Sequence, residues 1–169
     1  MNGKSKEKLI IAGVTAAILI VIFAIITNLN VGPYVFYYPS VKDGAFLEEH
    51  RKLSVLFDQT QFTIELTKEY ILGPLNYDLK LYISEGVYAK NVFCITLEGK
   101  EAVVIDFSKE FLVYIRVKND DAALFLDGLQ RTLKKNTSMK QIYITVEGQP
   151  VEARVGKWDL AYPIPVTGK

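Results

Sequence analysis

The chain opens on 18 consecutive residues without a charge, Leu9 to Ile26 (LIIAGVTAAILIVIFAII), and no charged residue occurs between Lys8 and Lys42. An amphipathic helix on a soluble core would place charges on its outer face every turn. At 1.5 Å per residue the run makes about 27 Å of helix, close to a hydrocarbon core of about 30 Å. The pattern therefore predicts a membrane anchor over residues 9–27. Lys4, Lys6 and Lys8 precede it against Glu7 alone, so the positive-inside rule places residues 1–8 in the cytoplasm and the remainder outside. A cleaved signal peptide is the rival reading. Its apolar core is usually shorter and ends in small residues, whereas this run ends Phe23-Ala24-Ile25-Ile26-Thr27-Asn28. That favours an uncleaved anchor, followed by a short linker over residues 28–33.

Beyond the linker the pattern shortens and alternates. Tyr34 to Tyr38 is aromatic and β-branched and stops at Pro39, which predicts a strand. Phe46 to Leu53 (FLEEHRKL) fits a strand or one helical turn, and its charges suggest an exposed edge. Residues 61–72 carry both periods, since Phe62, Ile64 and Leu66 alternate while Phe62, Leu66 and Tyr70 recur every fourth position. The ending decides for a helix. Gly73 stands at the C-cap with Pro74 behind it, and Asp58 or Thr60 offers an N-cap.

Leu79 to Ile83 reads as a short strand. Residues 92–97 and 102–107 form a hairpin around Glu98-Gly99-Lys100-Glu101. Phe111 to Val117 is apolar and reads as a strand or a covering segment. Residues 119–136 make the clearest helix: Ala122, Phe125, Leu126, Leu129 and Leu133 share one face, with Asn119, Asp120 and Asp121 at the start and Lys134 and Lys135 at the end. Residues 141–147 form a strand turned by Gly148, and the tail carrying Trp158 and Tyr162 packs irregularly. The sum is an α+β two-layer sandwich: a mixed β-sheet with two helices on one face, preceded by one N-terminal transmembrane helix.

Composition narrows the chemistry. The net charge is +1, from 20 basic and 19 acidic residues, which gives no electrostatic reason to expect nucleic acid as a partner. Setting Lys4, Lys6, Lys8 and Glu7 aside leaves 17 basic and 18 acidic residues, with no polybasic run to grip anionic lipid. One cysteine, Cys94, excludes an intramolecular disulfide and a cysteine-based zinc site. It lies in Val92-Phe93-Cys94-Ile95 and reads as a small buried hydrophobe. One histidine, His50, stands beside Glu48 and Glu49 in a charged segment, and adjacent residues rarely converge on one ion. Asp58, Glu65, Glu69, Asp78 and Glu85 show no paired spacing of the kind glycoside hydrolysis uses. No catalytic, cofactor or metal residues are therefore assigned. Tyr34, Tyr37 and Tyr38 are candidates for an exposed aromatic patch, and the strand that carries them, like the short strand near Leu81, for an edge that docks a partner.

Several of these segments match a known pattern. Tyr70-Ile71-Leu72-Gly73-Pro74 resembles the helix ending Leu-Leu-x-Gly-Pro of the GerMN domain family. Val104-Ile105-Asp106-Phe107-Ser108-Lys109-Glu110-Phe111 is similar to its Val-Asp-x-Ser-x-x-Phe signature. Leu126 to Leu133 looks like its helix ending in Thr-Leu, and Ile142 to Gly148 like the strand before its terminal glycine. Glu49-His50-Arg51-Lys52-Leu53 looks like a Glu-x-Arg-x-Leu element of some members. The Pro-x-Gly-Thr usual before the hairpin is replaced by Ser84-Glu85-Gly86-Val87. The resemblance covers about residues 34–165 and gives residues 34–169 the outline of one GerMN-like extracytoplasmic domain.

The motif positions are Leu72, Gly73, Pro74, Asp106, Ser108, Phe111 and Gly148, and each has a sufficient structural explanation. Asp106 and Ser108 suit a turn in which their oxygens accept backbone N–H bonds. The resemblance implies a small α/β sandwich with no cofactor, working by binding other envelope proteins or copies of itself, with links to sporulation, germination or envelope assembly. A peptidoglycan-binding or peptidoglycan-hydrolysing protein with an unrecognised site is the alternative.

Overall fold

The computed structural model describes residues 3–29, 33–53 and 58–166, with the side chains of the first helix described from Ile11 to Ala24. The flanking lysines that set the predicted orientation, most of the predicted linker and the last three residues lie outside the described residues or side chains. Helix α1 runs Gly3–Leu29, and its side chains from Ile11 to Ala24 are all exposed. That stretch is about 21 Å long. Among the described residues no helix is long and apolar enough to cross a membrane.

The remaining elements run β1 (Pro33–Pro39), β2 (Phe46–Lys52), α2 (Gln59–Leu72), β3 (Ala89–Leu97), β4 (Lys100–Phe107), α3 (Glu110–Val117), α4 (Asn119–Asn136), β5 (Gln141–Val146) and four two-residue strands, β6 (Gln149–Pro150), β7 (Arg154–Val155), β8 (Trp158–Asp159) and β9 (Ile164–Pro165). The main sheet has the order β3-β4-β5-β6, with β9 also on β5. β3 and β4 are antiparallel and β4 and β5 parallel, the parallel step being closed by α3 and α4. The architecture is thus mixed α+β. Val103, Ile105 and Phe107 of β4 and Ile142, Ile144 and Val146 of β5 face one core, which also takes Leu66 and Tyr70 of α2, Phe111 and Ile115 of α3, and Phe125, Leu129 and Leu133 of α4. Three helices fill this layer where the sequence pattern predicts two.

Local chemistry explains the element ends. Asp58 caps α2, its carboxylate accepting from Thr60 N at 3.0 Å, and Gly73 ends that helix at φ 95°, a conformation that favours glycine. Glu98 and Gly99 turn the β3–β4 hairpin at φ 51° and 73°, the left-handed pair a two-residue hairpin requires. α4 spans the predicted residues, but its N-cap is Lys118, with no side-chain cap bond; Asp120 and Asp121 lie inside the first turn, where their charge complements the helix dipole.

Three expectations need correction. Residues 111–117 are helical: Phe111, Tyr114 and Ile115 are buried together, and that helical stripe outweighs their β propensity. Residues 79–83 form no strand; Leu79 makes one isolated bridge to Ser40. The β1–β2 hairpin stands apart from the main sheet and packs on α4. The outer edge of β1 is closed there: Val35 N donates to Asn136 Oδ1 at 3.0 Å, Asn136 Nδ2 donates to Val35 O at 2.7 Å, and Tyr37 N donates to Thr132 Oγ1 at 3.0 Å. This strand, one of the two candidate docking edges, has its hydrogen-bonding groups occupied at these points.

Candidate interaction surface

Among the described residues of the α+β domain, the most exposed large apolar side chains lie at the end of α2 and just after it. Leu72, Leu75 and Tyr77 are 78, 75 and 99 % exposed. A floppy loop with such residues would be an aggregation hazard. This loop is pinned from below. Glu49 and Arg51 alternate along β2 onto its inner face, and both are buried. The Arg51 guanidinium donates through Nε to Glu49 Oε1 at 2.5 Å, through Nη2 to Gly73 O at 2.5 Å and through Nη1 to Glu69 O at 3.3 Å. It also lies 4.6 Å from the Phe36 ring centroid. A cation thus meets the carbonyls left without helical partners at the end of α2, the place where the helix dipole favours positive charge.

Glu49 completes the splint. Its carboxylate accepts from Leu75 N at 3.0 Å and from Asn76 N at 2.9 Å. One buried ion pair therefore ties the carbonyl before Pro74 and the amides after it to β2. Tyr38 closes the network from below: its hydroxyl donates to Tyr70 O at 2.9 Å, its ring stacks on Tyr70 at 4.9 Å, and burial raises its pKa well above the ordinary tyrosine range. Tyr38 is thus a core residue, and the tyrosine patch expected on β1 reduces to the half-buried Tyr34 and Tyr37. Sequence reading placed the charges of β2 on the surface. The i, i+2 spacing of Glu49, Arg51 and Leu53 was the available signal for a buried face.

The remaining motif positions hold turns. Asp106 Oδ1 accepts from Thr145 Oγ1 at 2.8 Å and from Gly148 N at 2.7 Å, fixing the β5–β6 turn where Gly148 has φ 73°. Ser108 is buried where the chain enters α3, with its N–H on Tyr88 O at 3.0 Å, and Phe111 stacks on Phe107 at 4.4 Å. Gly73 meets Arg51 through its carbonyl, with Leu72 and Pro74 on either side of it in the chain, whereas Asp106, Ser108, Phe111 and Gly148 gather around β4, β5 and α3.

His50 is exposed, with Nε2 3.6 Å from Glu48 Oε2, and among the described residues no three His, Cys, Asp or Glu side chains group to hold a metal. A groove of about 320 Å³ is lined by Glu85, Val87, Glu110, Val113 and Tyr114 among others. Glu110 there is held below the usual carboxylate range, chiefly by its own backbone amide and then by the Ser108 hydroxyl, the opposite of what a general acid needs. Cys94 is half-buried, and burial first, then Glu101 and Asp58, raises its thiol to about 11. A shift from 9 to about 11 cuts the thiolate fraction at pH 8 roughly 100-fold. A thiolate of higher pKa is also more nucleophilic, which recovers about tenfold, so iodoacetamide should label Cys94 in the native chain about 10-fold more slowly than in the denatured chain. Equal rates would show the thiol to be unshielded.

Set beside family models and curated proteins, the chain matches none. Solved structures do match. The tandem GerMN domains of the sporulation protein GerM from Bacillus subtilis superpose with a TM-score of 0.55 at 16% identity, over 81% of this chain and 45% of that one. The first GerMN domain of the same protein gives 0.51 at 16% identity, over 78% and 92%. A putative lipoprotein from Clostridium perfringens gives 0.50 at 19% identity, over 81% and 89%. The fold is that of a GerMN domain. This chain spans less than half of the tandem structure and nearly all of the single-domain one, so its α+β domain corresponds in fold to a single domain of that kind. Here the Gly-Pro segment is an apolar-tipped loop hydrogen-bonded to β2, and the Asp-x-Ser segment a pair of packed turns.

Proposed function

We propose that this chain is a membrane-anchored, extracytoplasmic interaction module of the bacterial cell envelope, which docks another envelope protein through the Leu72–Tyr77 loop. The observation that carries this reading is the combination of three exposed apolar side chains with a backbone held by the buried Glu49–Arg51 pair. A pre-organised loop loses little conformational freedom on binding, and tyrosine is among the side chains that most often anchor a binding surface. The sporulation protein and the lipoprotein among its structural neighbours support an envelope setting, with sporulation or germination as one of its contexts. Docking, not turnover, is the proposed work. In this reading α1 is the anchor, residues 1–8 are cytoplasmic, and the GerMN unit is outside.

Two measurements test it. A photo-crosslinking residue in place of Tyr77, in native membranes, should capture a discrete protein. The same group in place of the exposed Glu152 should not, and Leu72→Asp with Leu75→Asp should abolish the Tyr77 adduct. Identical adducts from both positions would remove the loop from the interface. For the anchor, protease added to spheroplasts should digest the GerMN unit, and replacing Lys4, Lys6 and Lys8 with Glu should weaken or invert the orientation. Protection of the unit in intact spheroplasts would overturn the topology.

A further inference from the structure

A cleft of about 500 Å³ is lined by Tyr37 of β1, by Gln130, Arg131, Lys134 and Lys135 of α4, and by Lys157. Four of its six lining residues are basic. Lys157 is paired with Asp127, Nζ to Oδ1 at 3.0 Å. Arg131 lies over the Phe46 ring at 4.6 Å, and among the described residues Arg131, Lys134 and Lys135 have no carboxylate in ion-pair contact. The nearby Glu48 carboxylate accepts from the Tyr37 hydroxyl at 2.8 Å. Basic residues in the last turn of a helix stabilise its dipole, which accounts for Lys134 and Lys135. It does not account for Arg131, one turn earlier, or for Lys157, brought to the same cleft by the β7–β8 turn.

The chain's own connections place this cleft. Asn136, next to Lys135, is hydrogen-bonded in both directions to Val35. Val35 is six residues after Leu29, the last residue of α1. Six residues span at most about 20 Å. The basic end of α4 is therefore tethered within that distance of the end of α1. We propose that Arg131, Lys134, Lys135 and Lys157 seat phosphate headgroups of anionic phospholipid in the membrane that holds α1, so that the GerMN unit docks on the bilayer in one orientation. The proposal rests on α1 being the anchor. Charge complementarity supplies the attraction, and the tether supplies the high local concentration that makes a few lysines sufficient.

The test uses the full chain reconstituted in vesicles of phosphatidylcholine alone or with about 30% phosphatidylglycerol. A donor dye on Ser138→Cys, in a Cys94→Ser background, reports energy transfer to an acceptor in the lipid headgroups. Transfer should rise in the anionic vesicles, fall with added salt, and return to the neutral-vesicle level in Lys134→Glu with Lys135→Glu. If those two substitutions disturb folding, Lys134→Gln with Lys135→Gln should still lose most of the rise. Equal transfer in both vesicle types, or an unchanged rise in the Gln pair, would overturn the proposal. So would displacement by a soluble glycerol-phosphate polymer at phosphate concentrations where anionic vesicles do not compete, since that would assign the cleft to a wall-type polymer. Failure of the chain to enter either vesicle type would instead overturn the anchor reading.

Discussion

Replacing Arg51 with Ala is expected to lower the stability of the α+β domain by about 3–5 kcal/mol, the cost of leaving a buried carboxylate without its countercharge. The effect should be large because Arg51 serves three parties at once: Glu49, the Gly73 and Glu69 carbonyls, and the Phe36 ring. Arg51→Lys keeps the charge but loses the forked geometry, so it should fall between wild type and the Ala variant. Removing both charges in Glu49→Leu with Arg51→Leu should cost less than the sum of the single changes, with a coupling of about 1–3 kcal/mol. It should not restore wild-type stability, because Gly73 O and the amides of Leu75 and Asn76 would lose their partners. Chemical denaturation of each variant measures these terms. A midpoint unchanged by Arg51→Ala would show that the pair does not hold the loop. The functional corollary is separate: a double variant that still folds should capture partner from position 77 less efficiently, since its loop is no longer fixed.

How far the sequence foretold this arrangement depends on which forces were local. α4 was legible because its apolar stripe, acidic start and basic end lie within the same 18 residues. The end of α2 was legible from Gly73-Pro74, and the hairpin from Glu98-Gly99, because glycine at positive φ is a backbone requirement written in one residue. The helix at 110–117 was not. Phe111, Val113, Ile115 and Val117 alternate as a strand would, and only the packing of Phe111, Tyr114 and Ile115 on α4 and the sheet chooses the other period. The Glu49–Arg51 splint was hidden for a different reason. A charge is ordinarily placed in water, and its burial becomes affordable only when the end of α2 and the residues after it, 18 to 27 residues on, bring carbonyls and amides to meet it. The same holds for the basic cleft. No run of basic residues exists in the chain, yet folding brings Lys157 beside Arg131 and the α4 lysines. Composition over the whole domain averages that patch to nothing.

Gly128→Ala should be the most damaging small change in α4. In an exposed helix interior this substitution would stabilise by about 1 kcal/mol. Here the added methyl would stand inside van der Waals contact of the Tyr70 hydroxyl, 2.7 Å from Tyr37 O and 3.1 Å from Phe46 Cε1. None of these neighbours yields easily. The Tyr70 hydroxyl is fully buried and donates to Phe125 O at 2.9 Å, and Tyr37 is held in β1 by its N–H on Thr132, one turn from Gly128 on the same helix. The methyl must therefore push β1 away from α4 or expel the tyrosine. Overpacking of this kind costs about 1–3 kcal/mol, and loss of the Tyr70 hydrogen bond adds about 1 kcal/mol. A net loss of about 1–3 kcal/mol is expected after the gain in helix propensity.

Tyr70→Phe separates the two causes. Alone it should cost about 1 kcal/mol, the value of one hydrogen bond. Combined with Gly128→Ala it removes the hydroxyl that the methyl strikes, so the double variant should be more stable than the two single losses predict. It should still fall short of Tyr70→Phe alone, because the Tyr37 carbonyl remains in place. If Gly128→Ala raised the denaturation midpoint as an ordinary helix substitution would, the close approach of β1 to α4 would be wrong, and with it the tether that places the basic end of α4 beside the end of α1.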